Sequence, residues 1–304
     1  MTREQLIEAC LSALHTNGFA ATTFLDTNTC FDIIARKTDS TLLIKVYDNI
    51  DSIRKEQGEE LVKMACTLGA RAAIIGAKTK VFRMEDSTVY YRYGVPAMTI
   101  GTFRALLENR NPEVSYFKGR STVEMDFEAL RRKRMELALS LHELAERIGV
   151  ASETLYRFEK GASTSMETAK KLEKELDGEF IRGLDIMGPR LKPERFDDVP
   201  EEKLLEKLHG LGMKMALFEH APFDAYGEVD RGMLISTGKG KFDIPKKALE
   251  LRKATTAVKS DSIIVTKEYK LKSVEGIPVI EEADLDTIGR IKELKKLIRE
   301  KEGK

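Results

Sequence analysis

Three groupings of side chains in this 304-residue chain could do chemistry. Arg131, Arg132, Lys133 and Arg134 set four cations in a row, a cluster suited to holding anionic oxygens or, more plainly, to solvating one face of a helix. Farther along, Ser152, Glu153, Thr154, Tyr156, Arg157 and Lys160 fall opposite Leu155 and Phe158 on a helical pattern, so hydrogen-bonding groups project outward together. The third grouping is Asp32, a carboxylate opening one apolar segment, with Lys45 and Tyr47 on the next. The commoner role for such an aspartate is a backbone hydrogen bond at a turn or strand end.

Other chemistries have little to work with. Cys10, Cys30 and Cys66 are odd in number and far apart, and His15, His142, His209 and His220 form no ligand-spaced pair with them. Neither a disulfide framework nor a zinc site is expected, and no cofactor, metal ligand or catalytic residue is assigned. The 51 basic and 50 acidic residues leave a net charge of +1, so bulk electrostatics selects no partner and nucleic-acid affinity must come from local patches. No apolar run reaches membrane-spanning length, and Met1 to Gln5 leads into an amphipathic pattern. A cytoplasmic protein without a membrane partner is expected.

The elements that must position these residues read as three parts. Thr2 and Gln5 form a capping box for a helix whose stripe is Leu6, Ile7, Cys10, Leu11 and Leu14, ending at Gly18. Strands follow at Phe19–Leu25, Phe31–Ala35 and Thr41–Tyr47, separated by the turn-formers Asp26-Thr27-Asn28 and Lys37-Thr38-Asp39-Ser40; then come a helix at Ser52–Leu68 and a strand at Ala70–Gly76. Between Phe127 and Phe180 the strand signals vanish and short helices with tight turns replace them. Prolines in Gly188-Pro189, Lys192-Pro193 and Val199-Pro200 mark a linker. Beyond it, Glu201–Leu211 and Ile244–Lys253 read as helices, and Lys214–Glu219, Gly232–Ser236 and Ser262–Thr266 as strands.

The last part echoes the first. Gly18 matches Gly212, Phe31-Asp32 matches Phe223-Asp224, and Leu42-Leu43-Ile44 matches Met233-Leu234-Ile235. Ala73-Ile74-Ile75 matches Ser262-Ile263-Ile264, and Gly94-Val95-Pro96 matches Gly276-Ile277-Pro278, all in the same order. Duplication and chance similarity of short apolar runs are the two explanations.

In the middle part, Ser140 and Glu143 form a capping box for a helix burying Leu141, Leu144, Ala145 and Ile148. Ala145 must be small where the next helix crosses. Gly149 ends the helix left-handed, Val150 fills the corner, and Ser152 should cap the next helix before Gly161 stops it. Met166, Ala169, Leu172 and Leu176 complete a bundle. The stretch from Leu-Arg-x-x-Arg at Leu130 through Phe-Glu-Lys-Gly at Gly161 resembles the Xre-type helix-turn-helix of phage repressors and Cro. That resemblance implies that helix 152–160 enters the major groove of double-stranded DNA, with Ser152, Glu153, Thr154 and Tyr156 at base edges, Arg157 at a base or phosphate, Lys160 alongside, and Arg131, Arg132 and Arg134 on phosphates. Leu141 stands where the family offers a Gln, and residues 126–179 hold twelve acidic against ten basic residues, so non-specific affinity should be weak and salt-dependent.

The segments carrying Asp32 and Lys45 resemble the core hairpin of the restriction-endonuclease and Holliday-junction-resolvase fold, where an Asp opens one strand and a Glu-x-Lys on the next completes the magnesium site and positions the attacking water. Lys45 occupies the Glu position and Tyr47 the Lys position, while Asp224 is followed by Leu234-Ile235-Ser236-Thr237-Gly238, so both copies should be catalytically dead. The layout resembles helix-turn-helix transcriptional regulators of archaea. The expected fold is α/β plus all-α: an α/β nuclease-like domain (1–115), a lambda-repressor-like helix-turn-helix bundle (126–186) and a second α/β domain (197–304). The expected function is that of a sequence-specific DNA-binding transcriptional regulator acting as a homodimer, with any small-molecule effector unspecified. The alternatives are a structure-selective nuclease and a protein-interaction scaffold.

Overall fold

The structure is a computed structural model that describes residues 1–25, 29–38, 40–117, 119–187, 194–229, 232–240 and 242–301. The expected turn Asp26-Thr27-Asn28, Asp39 of the next turn, and the expected breaks Gly188-Pro189 and Lys192-Pro193 lie outside the described residues.

The first unit runs α1 (Arg3–Thr16), β1 (Ala20–Thr23), β2 (Ile33–Lys37), β3 (Ser40–Val46), α2 (Lys55–Leu68), β4 (Arg71–Ile75), β5 (Thr88–Arg92), β6 (Val95–Met98) and α3 (Ile100–Leu107). The Thr2–Gln5 capping box forms. The strands lie in the order β1-β2-β3-β4-β6-β5. One sheet face packs against α1 and α3 through Leu6, Cys10, Leu14, Ile44, Ile75 and Phe103. The other carries Phe31, Ile34, Leu43, Ile74 and Val95 and is covered by α2. This alternation is what a two-residue strand period produces.

Beyond β5 the sheet continues through β7 (Val114–Phe117), β8 (Arg120–Met125) and β9 (Ile181–Arg182), giving nine strands. Between β8 and β9 sit α4 (Phe127–Glu136), α5 (Leu141–Ile148), α6 (Ser152–Phe158) and α7 (Met166–Leu176). The helical part is therefore an insertion into an extended sheet. β7 runs through the expected boundary at 115, and Val123 and Met125, ahead of the expected boundary at 126, lie in the core of the helical bundle with Leu130, Leu144, Ala145, Ile148, Leu155 and Leu172. No regular element spans 183–202 among the described residues, consistent with a connection near Val199-Pro200.

The last unit runs α8 (Lys203–Gly210), β10 (Met215–Leu217), β11 (Ala225–Gly227), β12 (Met233–Gly238), α9 (Asp243–Val258), β13 (Asp261–Thr266), β14 (Ser273–Val274), β15 (Ile277–Glu281), α10 (Glu282–Leu285) and α11 (Ile291–Lys301). Its order, β10-β11-β12-β13-β15-β14, and all its strand directions repeat those of the first unit. The repetition extends to details. The Phe24 N–H donates to Asp32 O at 2.9 Å and the Phe218 N–H to Asp224 O at 3.0 Å. Phe24 meets Phe31 edge-on at 5.3 Å, and Phe218 meets Phe223 edge-on at 5.7 Å. The β5–β6 and β14–β15 hairpins both turn on a left-handed pair, Tyr93-Gly94 (φ 51 and 80°) and Glu275-Gly276 (φ 53 and 76°), the geometry that matches strand twist. One expected match shifts by a residue. Ile44 pairs with Ala73 and Ile235 with Ile263, so Ala73 corresponds to Ile263, not Ser262. The shift keeps each side chain on its proper face: Ile74 and Ile264 both enter the core shared by the two units.

That shared core is the main contact between them. The α2-covered face of one sheet and the α9-covered face of the other join in a single cluster. Polar bonds cross the seam: Cys30 N–H to His220 O at 2.6 Å, His220 N–H to Glu60 Oε1 at 2.7 Å, Lys63 Nζ to Leu217 O at 3.0 Å and Arg36 Nη1 to Val258 O at 2.7 Å.

Candidate nucleic-acid interface

Local sequence fixes the two central helices of the bundle. Ser140 Oγ accepts from the Glu143 N–H at 3.1 Å and Glu143 Oε2 accepts from the Ser140 N–H at 2.8 Å, closing the start of α5. Those bonds hold the Glu143 carboxyl below its ordinary range. Gly149 ends α5 at φ 75° and ψ 39°, and the Val150 N–H returns to Ala145 O at 2.9 Å. Ala145 is buried, as the close helix crossing requires, and Val150 packs half-buried at the corner. The start of α6 differs from expectation. Its cap is Ala151, which offers no side-chain acceptor, and Ser152 lies inside the first turn with its hydroxyl 3.5 Å from His142 Nδ1. The first-turn amides of α6 are thus left without a side-chain cap from this position.

Leu155 is buried and Phe158 packs half-buried, which turns the rest of α6 outward. Glu153, Tyr156, Arg157 and Lys160 are exposed, and Ser152 and Thr154 are half-buried beside them. Lys160 Nζ sits 5.6 Å from the Tyr156 ring centre, so the far end of this face is a cation on an aromatic ring.

The basic cluster divides. Arg131 and Arg132 are exposed on α4. Arg134 turns inward: its Nε and Nη2 donate to Glu159 Oε1 and Oε2 at 2.6 and 3.0 Å, and its Nη1 to Leu139 O at 2.7 Å. The two side chains are 11% and 5% exposed, and the pairing raises the Arg134 pKa. The guanidinium is therefore a brace between α4 and the end of α6, and the expectation that it holds a phosphate gives way to that geometry. Sequence reasoning missed Glu159 as its partner. The only signal was a Glu inside the Phe158-Glu159-Lys160-Gly161 stop, at a position that turns out buried.

The second candidate site surrounds Asp32, which is buried at the mouth of β2. Asp32 Oδ1 accepts from Lys45 Nζ at 3.0 Å and from Arg3 Nη2 at 2.8 Å, while Oδ2 accepts from the Val46 N–H at 2.7 Å. The carboxylate is fully engaged by two cations and an amide. Tyr47 lies behind, hydrogen-bonded to Gln57 Oε1 at 3.1 Å, its hydroxyl pushed up to about 12 by burial and then by Asp32. A divalent ion here would face the buried Lys45 ammonium rather than a second carboxylate. Arg3 was not foreseen, because it belongs to α1 and only the packing of that helix brings it to Asp32. In the last unit Asp224 Oδ2 accepts from the Thr237 N–H at 2.6 Å and Thr237 Oγ1 at 3.1 Å, with Lys247 Nζ at 3.4 Å. Among the described residues no group of three or more His, Cys, Asp or Glu converges as a metal site, and no helix is long and apolar enough to cross a membrane.

Comparison with known proteins agrees with this division. Residues 130–180 match the family described as helix-turn-helix, and residues 3–112 match the PD-(D/E)XK superfamily domain. Over nearly its whole length the chain is similar to provisionally named HTH-type transcriptional regulatory proteins of archaea. Identity is 31% with the Archaeoglobus fulgidus protein, covering 97% of each chain, and 32% with the Methanocaldococcus jannaschii protein, covering 98% of each. It is 31% with the Pyrococcus horikoshii protein, covering 99% of this chain and 98% of that one. No solved structure matches.

Proposed function

The chain belongs to this archaeal family of HTH-type transcriptional regulatory proteins, and from that premise we propose that it is a DNA-binding transcriptional regulator that reads the major groove with α6. The observation that carries the reading is an outward face: Glu153, Thr154, Tyr156 and Arg157 on α6, a helix set by the Gly149 turn, and Lys160 just past its end stand outside the buried core of the bundle. A groove wide enough for a helix meets such a face along its base edges, while Arg131 and Arg132 on α4 hold the flanking backbone. One helix of this length reads few base pairs. Two chains on half-sites a helical turn apart supply the specificity of an operator, so two chains per selected site are expected.

The nuclease-like units act as scaffold. Asp32 is neutralised by Lys45 and Arg3 rather than joined by a second carboxylate, so no magnesium-dependent cleavage of branched or duplex DNA is expected, even with excess protein over substrate. The whole reading is tested by selecting binding sites from a random duplex pool. Thr154→Ala with Arg157→Ala should remove sequence preference while the circular-dichroism melt stays cooperative, each lost base contact weakening specific binding by about 1–3 kcal/mol. Recovery of the same motif by the double variant would overturn it.

A further inference from the structure

A second group of exposed basic side chains lies far along the chain from α6. Strands β12 and β13 are parallel neighbours, with Gly238 opposite Thr266, and Thr266 Oγ1 donates to Gly238 O at 3.0 Å. The loops that leave these two strand ends therefore emerge side by side. The β12–α9 connection and the start of α9 carry Lys239 and Lys246, and the β13–β14 connection carries Lys267, Lys270 and Lys272. All five are exposed, and none forms an ion pair among the described residues. The opposing charges at these strand ends are Asp243, whose Oδ2 is taken by the Lys239 N–H at 3.1 Å, Glu268, and Glu281, which pairs with Thr266 and whose Oε1 accepts from the Tyr269 N–H at 2.8 Å. Phe242 is 98% exposed and Leu271 58% exposed in the same loops.

Like charges on neighbouring loops repel one another and lower stability. That cost is offset when a polyanion covers the loops. The helix-turn-helix itself is slightly acidic, so the backbone affinity an operator-binding protein needs has no large source there. We propose that the strand-end face formed by Lys239, Lys246, Lys267, Lys270 and Lys272 is a second, sequence-independent contact surface for the phosphate backbone of duplex DNA, with Phe242 lying against it. The proposal rests on the reading of the chain as a DNA-binding protein, but it assigns the non-specific share of affinity to the last unit.

The test uses the full chain and a 40-bp random-sequence duplex. The variant Lys239→Gln/Lys267→Gln/Lys270→Gln/Lys272→Gln removes four charges at exposed positions. Its log K against log[salt] slope should fall by about 3 to 4 relative to the parent, with at least about tenfold weaker binding at 50 mM salt. It should still select the parent's motif from the random pool. The sequence-blind Thr154→Ala/Arg157→Ala variant should keep its low-salt binding to the same duplex and lose it when the four lysine changes are added. An unchanged slope in the lysine variant overturns the second surface, whether or not the motif is selected. Loss of slope in a chain that selects no motif upholds the surface and overturns the role of α6 instead.

Discussion

Single residues in this chain carry a division between architecture and contact that their type alone does not reveal. Arg131, Arg132 and Arg134 are chemically alike and nearly adjacent, yet only the first two stay in solvent, while Arg134 is locked bidentately to Glu159. Removing one partner of a buried pair leaves an uncompensated charge, so Glu159→Gln should lower the unfolding free energy in urea by about 3 kcal/mol. The double change Arg134→Met/Glu159→Leu should recover most of it. A double variant no more stable than the single one would show that packing rather than charge sets the cost. The sequence could not separate these arginines, because a run of basic residues on a helix is compatible with either fate until the partner helix is placed. Asp32 was the reverse case. Lys45 and Tyr47 already stood in place of the metal-site Glu and Lys, and the distances from Asp32 to Lys45 and Arg3 give the replacement its physical form.

At the scale of elements, what could be read was what local chemistry dictates. The capping boxes at Thr2 and Ser140, the Gly149 stop and the amphipathic stripes of α1, α5 and α7 follow from backbone bonding and helical period, and all form where expected. The strands from β5 to β8 were missed. They are short, β6 contains Pro96, and their partners are set by pairing between β5 and β7 rather than by an apolar alternation of their own. Ser152 was misplaced by one position because Ala151 takes the extended cap conformation ahead of it. The α5–α6 turn is the element whose failure would be felt in binding. A Cβ on Gly149 would meet nothing within 4 Å, so Gly149→Ala adds no clash. It does impose the left-handed conformation on an L residue, costing about 1 kcal/mol. The expected result is a small loss of thermal stability with folding intact; a fall of more than about 3 kcal/mol would point to a clash rather than the backbone conformation.

For the whole molecule, the order of parts was readable but their attachment was not. Three consecutive units were expected, whereas the helical bundle is spliced into an extended sheet through β8 and β9, with Val123 and Met125 shared. The repeat was visible because apolar triplets and left-handed glycines survive insertion. That the two copies face each other through one core was not, since no sequence period records which sheet faces meet. This seam also holds a titratable group. Glu60 is pushed above its ordinary value, chiefly by burial, although the His220 N–H bonds to it. A carboxyl whose folded pKa lies above its unfolded value favours the fold when protonated, so stability falls as pH rises from the unfolded value near 4.5 through the raised one. Glu60→Gln keeps the acceptor and removes the charge. It should flatten that decline in melting curves between acid and neutral pH and raise the neutral melting temperature; an unchanged pH slope would place the effect elsewhere.

The hydrogen bond that the Val46 N–H of β3 donates to Asp32, repeated from the Thr237 N–H to Asp224, bears on how relatives are sorted. A carboxylate that fastens two strands serves the fold, whatever happens to any reaction nearby. Its presence therefore has no diagnostic weight: a survey that counts strand-opening aspartates would score both halves of this chain as half a nuclease. The informative position lies across the hairpin, where Lys45 stands in one half and Ser236 in the other. Reading that position first would separate chains that carry a second carboxylate there from chains that do not.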